Sequence, residues 1–224
     1  MSTHANALAV MAKAPVAGQV KTRLVPPLTQ EQAAEFYRAL LLDQLENLKG
    51  ITFADLYLAY TPSEAAGWVQ SLAPPSFHSF PQRGNDFGER MNAIFTELWD
   101  RGHRNVVLIG SDLPALPLSY LETAFDLLAT KRAVLGPSRD GGYYLVGLNR
   151  PTPEIFQNMT WSHNQVLGQT LARLNDHKIK AELLPEWFDV DTADDLKSLG
   201  ALNPSARGAL TRTLALLRTL RMAD

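Results

Sequence analysis

The sequence predicts an α/β protein built on one mostly parallel sheet flanked by helices, on three observations. Short apolar runs alternate with longer segments of helical periodicity along the whole chain. Runs such as ALAVM (7–11) and NVVLIG (105–110) are continuously apolar, as strands covered on both faces are. At 224 residues, with no internal repeat and no long linker, the chain fits a single domain with a sizeable core.

In order, ALAVM reads as a buried strand, and Thr29 opens a helix in which Ala33, Phe36, Leu40, Leu41, Leu45 and Leu48 recur at helical spacing. DLYLAYT (55–61) is a strand, 63–72 a helix, FHSFPQ (77–82) a strand and 86–99 a helix. NVVLIG is the clearest buried strand, bounded by GSDLP. A helix near 117–130 leads to AVLGP and YYLVGL, which face each other across SRDGG. A helix at 164–175, an extended stretch ending in FDVD and two terminal helices complete the chain. We divide it into a domain at 1–203 and a C-terminal helix at 204–224. In the latter, Leu210, Leu214 and Leu217 share one face and Arg207, Arg212, Arg218 and Arg221 lie elsewhere, for packing on the domain or for a homodimer contact.

The formal net charge of −2 gives no global field for nucleic acid or an anionic membrane, so any anion site must be local. Absence of cysteine removes disulfides, thiolate metal sites and cysteine nucleophiles. The N-terminal residues lack a leader pattern and no run approaches the ~18 apolar residues of a membrane span, so a cytoplasmic protein is expected. His4, His78, His103, His163 and His177 are scattered without ligand spacing, which supports no zinc site and gives His163 no role.

Ligands of such sheets bind beyond the carboxyl ends of the strands, which selects four segments. KAPVAGQVKTRL (13–24) carries Lys13, Lys21 and Arg23 around Gly18. It is not a Walker loop, because Gln19 and Val20 separate Gly18 from Lys21. Either it is a solvated basic loop or it holds phosphates, with lysines as point charges and arginine as a planar fork. Lys13, Gly18, Lys21, Thr22 and Arg23 are the candidates. GSDLP places Asp112 at a strand end, as a turn residue or a metal ligand. In DVDTADDL, Thr192 and Asp195 form a capping pair, whereas Asp189 and Asp191 point one way and are left without a capping role. Asp112 with Asp189 or Asp191 suits Mg2+, or Mn2+, provided the strand ends converge. Asp140, Gly141 and Gly142 of SRDGG are favoured turn residues, or bring bare backbone against a nucleotide. Asp86 and Glu89 fit a helix start, with Arg90 on the surface.

Taken together, AKAPVAGQVKTRL, GNDFGERM, GSDLPALP, GPSRDGGYYLVGL, TWSHNQVL and DVDTADDL resemble, in order and over nearly the whole chain, the bacterial family described as radical-SAM/selenodomain-associated transferase, also labelled an arsenosugar-biosynthesis glycosyltransferase. They are similar to the wider glycosyltransferase-A-like (Rossmann-like) superfamily containing molybdenum-cofactor and 2-phospho-L-lactate guanylyltransferases. The resemblance implies that the opening loop holds donor phosphates, that Asp112 is a metal ligand, and that Asp189 and Asp191 belong to the metal and acceptor site. The chain departs in two places. The glycine-rich loop of sugar nucleotidyltransferases is reduced to Gly18, and the fourth strand ends in SerAsp rather than a pair of aspartates.

The expected activity is metal-dependent transfer from a nucleotide donor to a small-molecule acceptor, with Lys21, Arg23 and Asp112 as catalytic residues. Nucleotidyl transfer from a triphosphate to a phosphorylated acceptor leads. Glycosyl transfer from a nucleotide sugar is the alternative, and a non-catalytic nucleotide-binding protein is a third.

Overall fold

The computed structural model describes residues 4–220; Arg221 and the last residues of the C-terminal segment lie outside the described residues. One sheet of seven strands forms the centre, in the order β3-β2-β1-β4-β6-β5-β7. The strands are β1 (Asn6–Lys13), β2 (Asp55–Thr61), β3 (Phe77–Pro81), β4 (Asn105–Gly110), β5 (Ala133–Pro137), β6 (Tyr143–Leu148) and β7 (Ala181–Leu183). β3, β2, β1 and β4 are mutually parallel, and β6 alone is antiparallel to its neighbours. The reversal has a simple cause. Ser138 to Gly142 is too short for the crossover that parallel strands need, so β5 and β6 form a hairpin.

The helices are α1 (Gln30–Leu48), α2 (Ala66–Leu72), α3 (Phe87–Asp100), α4 (Leu118–Leu128), α5 (Val166–Asp176), α6 (Ala193–Gly200), α7 (Pro204–Gly208) and α8 (Thr211–Thr219). Alternate residues of the strands feed opposite cores, as the pleat dictates. Leu8, Val10, Leu58 and Val107 pack with α1, α2 and α4 on one face, and Ala7, Ala9, Tyr57 and Leu108 with α3 and α5 on the other. A third cluster joins Leu24, Phe36 and Leu40 to Phe188, Val190, α6, Leu210, Leu214 and Leu217. The mostly parallel, helix-covered sheet is the one the sequence predicts.

Two elements differ from the sequence reading. β7 has three residues and pairs only with β5, too short to register as a strand in an extended stretch. The C-terminal helix is broken at Ala209–Leu210 into α7, a short helix capped by Asn203 and begun by Pro204, and α8. No described helix is long and apolar enough to cross a membrane.

Strand order changes direction at β1. The chain passes to β2 on one side, while β4 lies on the other, so the loops after β1 and β4 part and leave a crevice at the carboxyl edge.

Candidate active site at the carboxyl edge

Four segments meet in that crevice. The loop after β1 ends at Lys21, whose backbone is left-handed (φ 49°) as it enters a single 3-10 turn, Thr22–Leu24. Leu24 is fully buried and anchors the turn. The loop after β4 carries Ser111 and Asp112. The stretch 184–191 is tied along the sheet by Leu184 N to Leu135 O, Trp187 N to Pro137 O and Trp187 Nε1 to Pro114 O. Val190 N then donates to Asp112 O at 3.3 Å, which brings Asp189 and Asp191 beside Asp112's loop. Thr192 and Asp195 form the expected capping box, and Asp195 Oδ2 also accepts from Asp191 N, fixing the aspartate at the mouth of α6.

The carboxylates of Asp112, Asp189 and Asp191 each offer an oxygen within 4.8 Å of the others. Lys21 Nζ donates to Asp112 Oδ2 at 2.6 Å and to Asp191 Oδ1 at 2.8 Å, and Arg23 pairs with Asp191 from the solvent side. The Lys21 side chain is 4 % exposed. Burial works to lower its pKa, but Asp112 and Asp191 outweigh that and raise it. Asp191 is the mirror case: burial works to raise its carboxyl, yet Lys21 and Arg23 hold it below the usual carboxylate range. Among the described residues no cation pairs with Asp189. Burial, then the charges of Asp112 and Asp191, push its carboxyl up to about 7, against one hydrogen bond from Ser138 Oγ at 2.9 Å.

Beside this cluster lies a cleft of about 310 Å³ whose walls include Lys13, Lys21, Tyr37, Gln82, Phe87, Arg90, Ser111, Asp112 and Asp191. Tyr37 stitches its floor, accepting from Lys13 N at 3.0 Å and sharing a 2.7 Å hydrogen bond with Ser111 Oγ. Gln82 Nε2 donates to Ala12 O and Ala59 O, closing the edge of β1 and β2. These two residues were missed by sequence reasoning. Tyr37 reads as one more core position of α1, and Gln82 as a strand-end polar residue.

Arg90 needs correcting. Read from sequence as a surface residue, it lines the cleft, with its Nε buried and without a hydrogen-bond partner. Its guanidinium stands 6.0 Å from the Phe87 ring centroid, and no described carboxylate pairs with it. No local signal marks it: Asp86 caps α3 through Glu89 N, and the helix is seated on the sheet by Met91, Ile94, Phe95 and Leu98.

The other candidates fall as follows. Lys13 is exposed and donates from Nζ to Gln19 O at 3.0 Å. Gly18, at φ 74°, turns the loop where a Cβ would come 2.9 Å from Gln30 Oε1. Thr22 is exposed within its turn. Asp140, Gly141 and Gly142 form the β5–β6 turn, with Asp140 Oδ1 accepting from Gly142 N at 2.9 Å. Gly141, at φ 87°, packs against Asn164, where a Cβ would lie 2.2 Å from its carbonyl oxygen. The turn sits at the carboxyl edge but outside the walls of the cleft. His163 accepts from Gln165 N within its own loop.

Comparison with known proteins agrees with this architecture. The family described as "Uncharacterized protein conserved in bacteria (DUF2064)" matches residues 44–163. No curated protein matches the sequence. A crystal structure from Desulfovibrio desulfuricans G20, described as a candidate nucleotide-diphospho-sugar transferase, is 31% identical with a TM-score of 0.87, over 99% of this chain and 100% of that one. A cytidylyltransferase from Leptospira borgpetersenii serovar Hardjo-bovis (strain JB197) is 14% identical with a TM-score of 0.59, over 97% of this chain and 95% of that one. A CMP:2-keto-3-deoxy-manno-octonic acid synthetase complexed with CTP is 11% identical with a TM-score of 0.53, over 87% and 96%. The last two share the fold. With the match at 44–163 spanning more than half of the chain and the 31% relative nearly all of it, this protein belongs to the DUF2064 family and carries the glycosyltransferase-A-like fold that its sequence motifs imply.

Proposed function

We propose that this protein is a metal-dependent transferase that moves a nucleotidyl group from a nucleoside triphosphate to a small phosphorylated acceptor, releasing pyrophosphate. The observation that carries the reading is the meeting of Lys21 and Arg23 with Asp112, Asp189 and Asp191 at the mouth of a single cleft, where Lys13 and Arg90 add two further cations.

An all-carboxylate set is the chemistry of a hard divalent ion. Asp112, Asp189 and Asp191 each offer a carboxylate oxygen within 4.8 Å of the others, which brings such a donor set together at one place. Asp112, Asp189 and Asp191 would hold Mg2+ or Mn2+, which supplies charge stabilisation at the phosphates. The chain's own residues supply the rest. Lys13, Lys21, Arg23 and Arg90 bind and orient phosphate oxygens. The acceptor's phosphate oxygen attacks the α-phosphorus in line, the bond to the bridging oxygen breaks, and the cations offset the charge that gathers on departing pyrophosphate.

A second reading, glycosyl transfer from a nucleotide sugar, is favoured by the description of the 31% identical relative. Coupled assays separate the two: pyrophosphate release and nucleoside-diphosphate release, run with triphosphates and with nucleotide sugars over one acceptor panel. Pyrophosphate from a triphosphate supports the leading reading, and diphosphate only from a nucleotide sugar supports the second. Failure to bind any nucleotide in a thermal-shift panel with Mg2+ overturns both.

A further inference from the structure

Lys21 stands where a bound cation would stand. Its ammonium bridges Asp112 Oδ2 at 2.6 Å and Asp191 Oδ1 at 2.8 Å, and both carboxylates belong to the cluster proposed to hold the divalent ion. The two occupants exclude each other. A metal bound to those oxygens would leave the ammonium within a few ångströms of it, where like charges in a poorly hydrated site repel strongly. The partners are also unequal. Among the described residues Lys21 is the only cation paired with Asp112, whereas Asp191 keeps Arg23 when Lys21 leaves.

We infer that Lys21 is the resident counter-ion of the divalent-cation site, and that metal loading expels its ammonium from between Asp112 and Asp191 into the adjoining cleft, where it meets the donor's phosphates. The inference rests on the proposed metal site. It adds that metal and phosphate binding are one exchange: the ion takes the carboxylates that Lys21 held, and Lys21 takes the phosphates. The cleft is already lined by Lys21 beside Lys13 and Arg90, so the flexible lysine stem moves within one cavity. Metal alone must displace an ion pair, so it binds weakly until phosphates give Lys21 a new partner; the coupling is necessarily reciprocal.

The exchange predicts that removing a positive charge tightens a cation site by more than overall charge explains. Mn2+ binding to the intact protein without nucleotide is followed by electron paramagnetic resonance of the free ion, with the Mn2+-induced shift in Tm as a second readout. Lys21→Met is expected to bind Mn2+ about tenfold more tightly than the parent, since the competing ammonium is gone, and to show a larger upward shift in Tm. Lys131→Met makes the same net-charge change at the opposite edge of the sheet and is expected to match the parent. Asp112→Asn in the Lys21→Met background is expected to abolish the gain, which places the ion. Lys21→Gln, which keeps hydrogen-bond donors, serves if Lys21→Met does not fold and is expected to tighten binding in the same direction. Mn2+ bound by the parent but equally or more weakly by the Lys21 variants overturns the exchange and leaves the metal site standing. No Mn2+ bound by parent or variants, with or without nucleotide, overturns the metal site and the exchange with it.

Discussion

Lys21 Nζ and Asp112 Oδ2 meet at 2.6 Å across 91 residues of chain, inside a cluster that also takes in Asp191. The basic loop after β1 and the acidic turn after β4, which the sequence suggests for two separate tasks, therefore share one largely buried ion pair. Neither half is a surface decoration. Asp112 and Asp191 hold the Lys21 ammonium charged against burial, and a substitution in the acidic turn is read out at the basic loop.

Asp112→Asn is expected to lower turnover about a hundredfold or more, the loss of several kcal/mol of charge stabilisation at the phosphates. It should also remove most of the Mg2+-dependent thermal stabilisation by nucleotide. The fold should survive, because Asp191 still pairs with Lys21 and Asp112 contributes nothing to the apolar clusters. Steady-state kinetics beside thermal melts checks this, and parental activity in the variant would remove Asp112 from the site.

Arg90→Ala is expected to weaken binding of a nucleoside triphosphate by about 1.5–3 kcal/mol, the value of hydrogen bonds to a charged group, with little change in Tm. The reason lies in what the guanidinium lacks: with Nε buried and unpartnered, it gives the ligand-free fold no hydrogen bond there to lose. Calorimetric titration of parent and variant with the triphosphate and its nucleoside is the check. Equal losses for the two ligands would place Arg90 against the base or sugar instead of the phosphates.

Capping and strand signals were legible in the sequence because they are local. Thr29, Asp86 with Glu89, and Thr192 with Asp195 each open a helix through contacts a few residues away, and the structure contains all three caps. The convergence of Asp112 with Asp189 and Asp191 was legible only as a condition, because it depends on residues 184–190 being pinned beside β5 and the loop after β4. The neutralisation of Lys21 by two carboxylates was not legible at all. A cation with no acidic neighbour in sequence looks free for phosphates, and only the sheet order brings the loops after β1 and β4 together. Arg90 was misplaced for a related reason: its burial comes from the seating of α3 against β1, β2 and β4, not from its immediate neighbours.

Asp189 gives the site a pH dependence. Its carboxyl is pushed up to about 7 in the fold from an ordinary value of 3.8, by burial and then by Asp112 and Asp191. Between those values the folded protein holds a proton that the unfolded chain has released, so stability falls as pH rises through the window. Asp191 works in the opposite sense and lower down: its depressed carboxyl stabilises the fold above the ordinary range, and that contribution is lost as acid protonates it. Without divalent ions, Tm is expected to decline from pH 5 to pH 8, and Asp189→Asn to flatten the decline. Mg2+ should flatten it too, because binding requires the deprotonated carboxylate and is favoured as pH rises. A parental slope in Asp189→Asn would take Asp189 out of this role.

Outside the walls of the cleft, Asp43 holds the start of α8. It lies on α1 at 2 % exposure and accepts from Thr213 N at 2.8 Å and Arg212 N at 3.1 Å, with the Arg212 guanidinium at 3.3 Å. A carboxylate from another helix thus satisfies two of the amides that open α8, where the helix dipole also favours negative charge. Asp43→Ala leaves those amides without an acceptor in a buried place, which costs about 1–3 kcal/mol. For a chain of this size that is a fall in Tm of roughly 2–4 °C per kcal/mol. Asp43→Asn keeps one oxygen acceptor and should lose less. Nucleotide binding, measured well below the transition, is expected to be unchanged in both, which separates the support of α8 from the chemistry at the carboxyl edge. An unaltered Tm in Asp43→Ala would mean that Leu210, Leu214 and Leu217 hold α8 without the carboxylate.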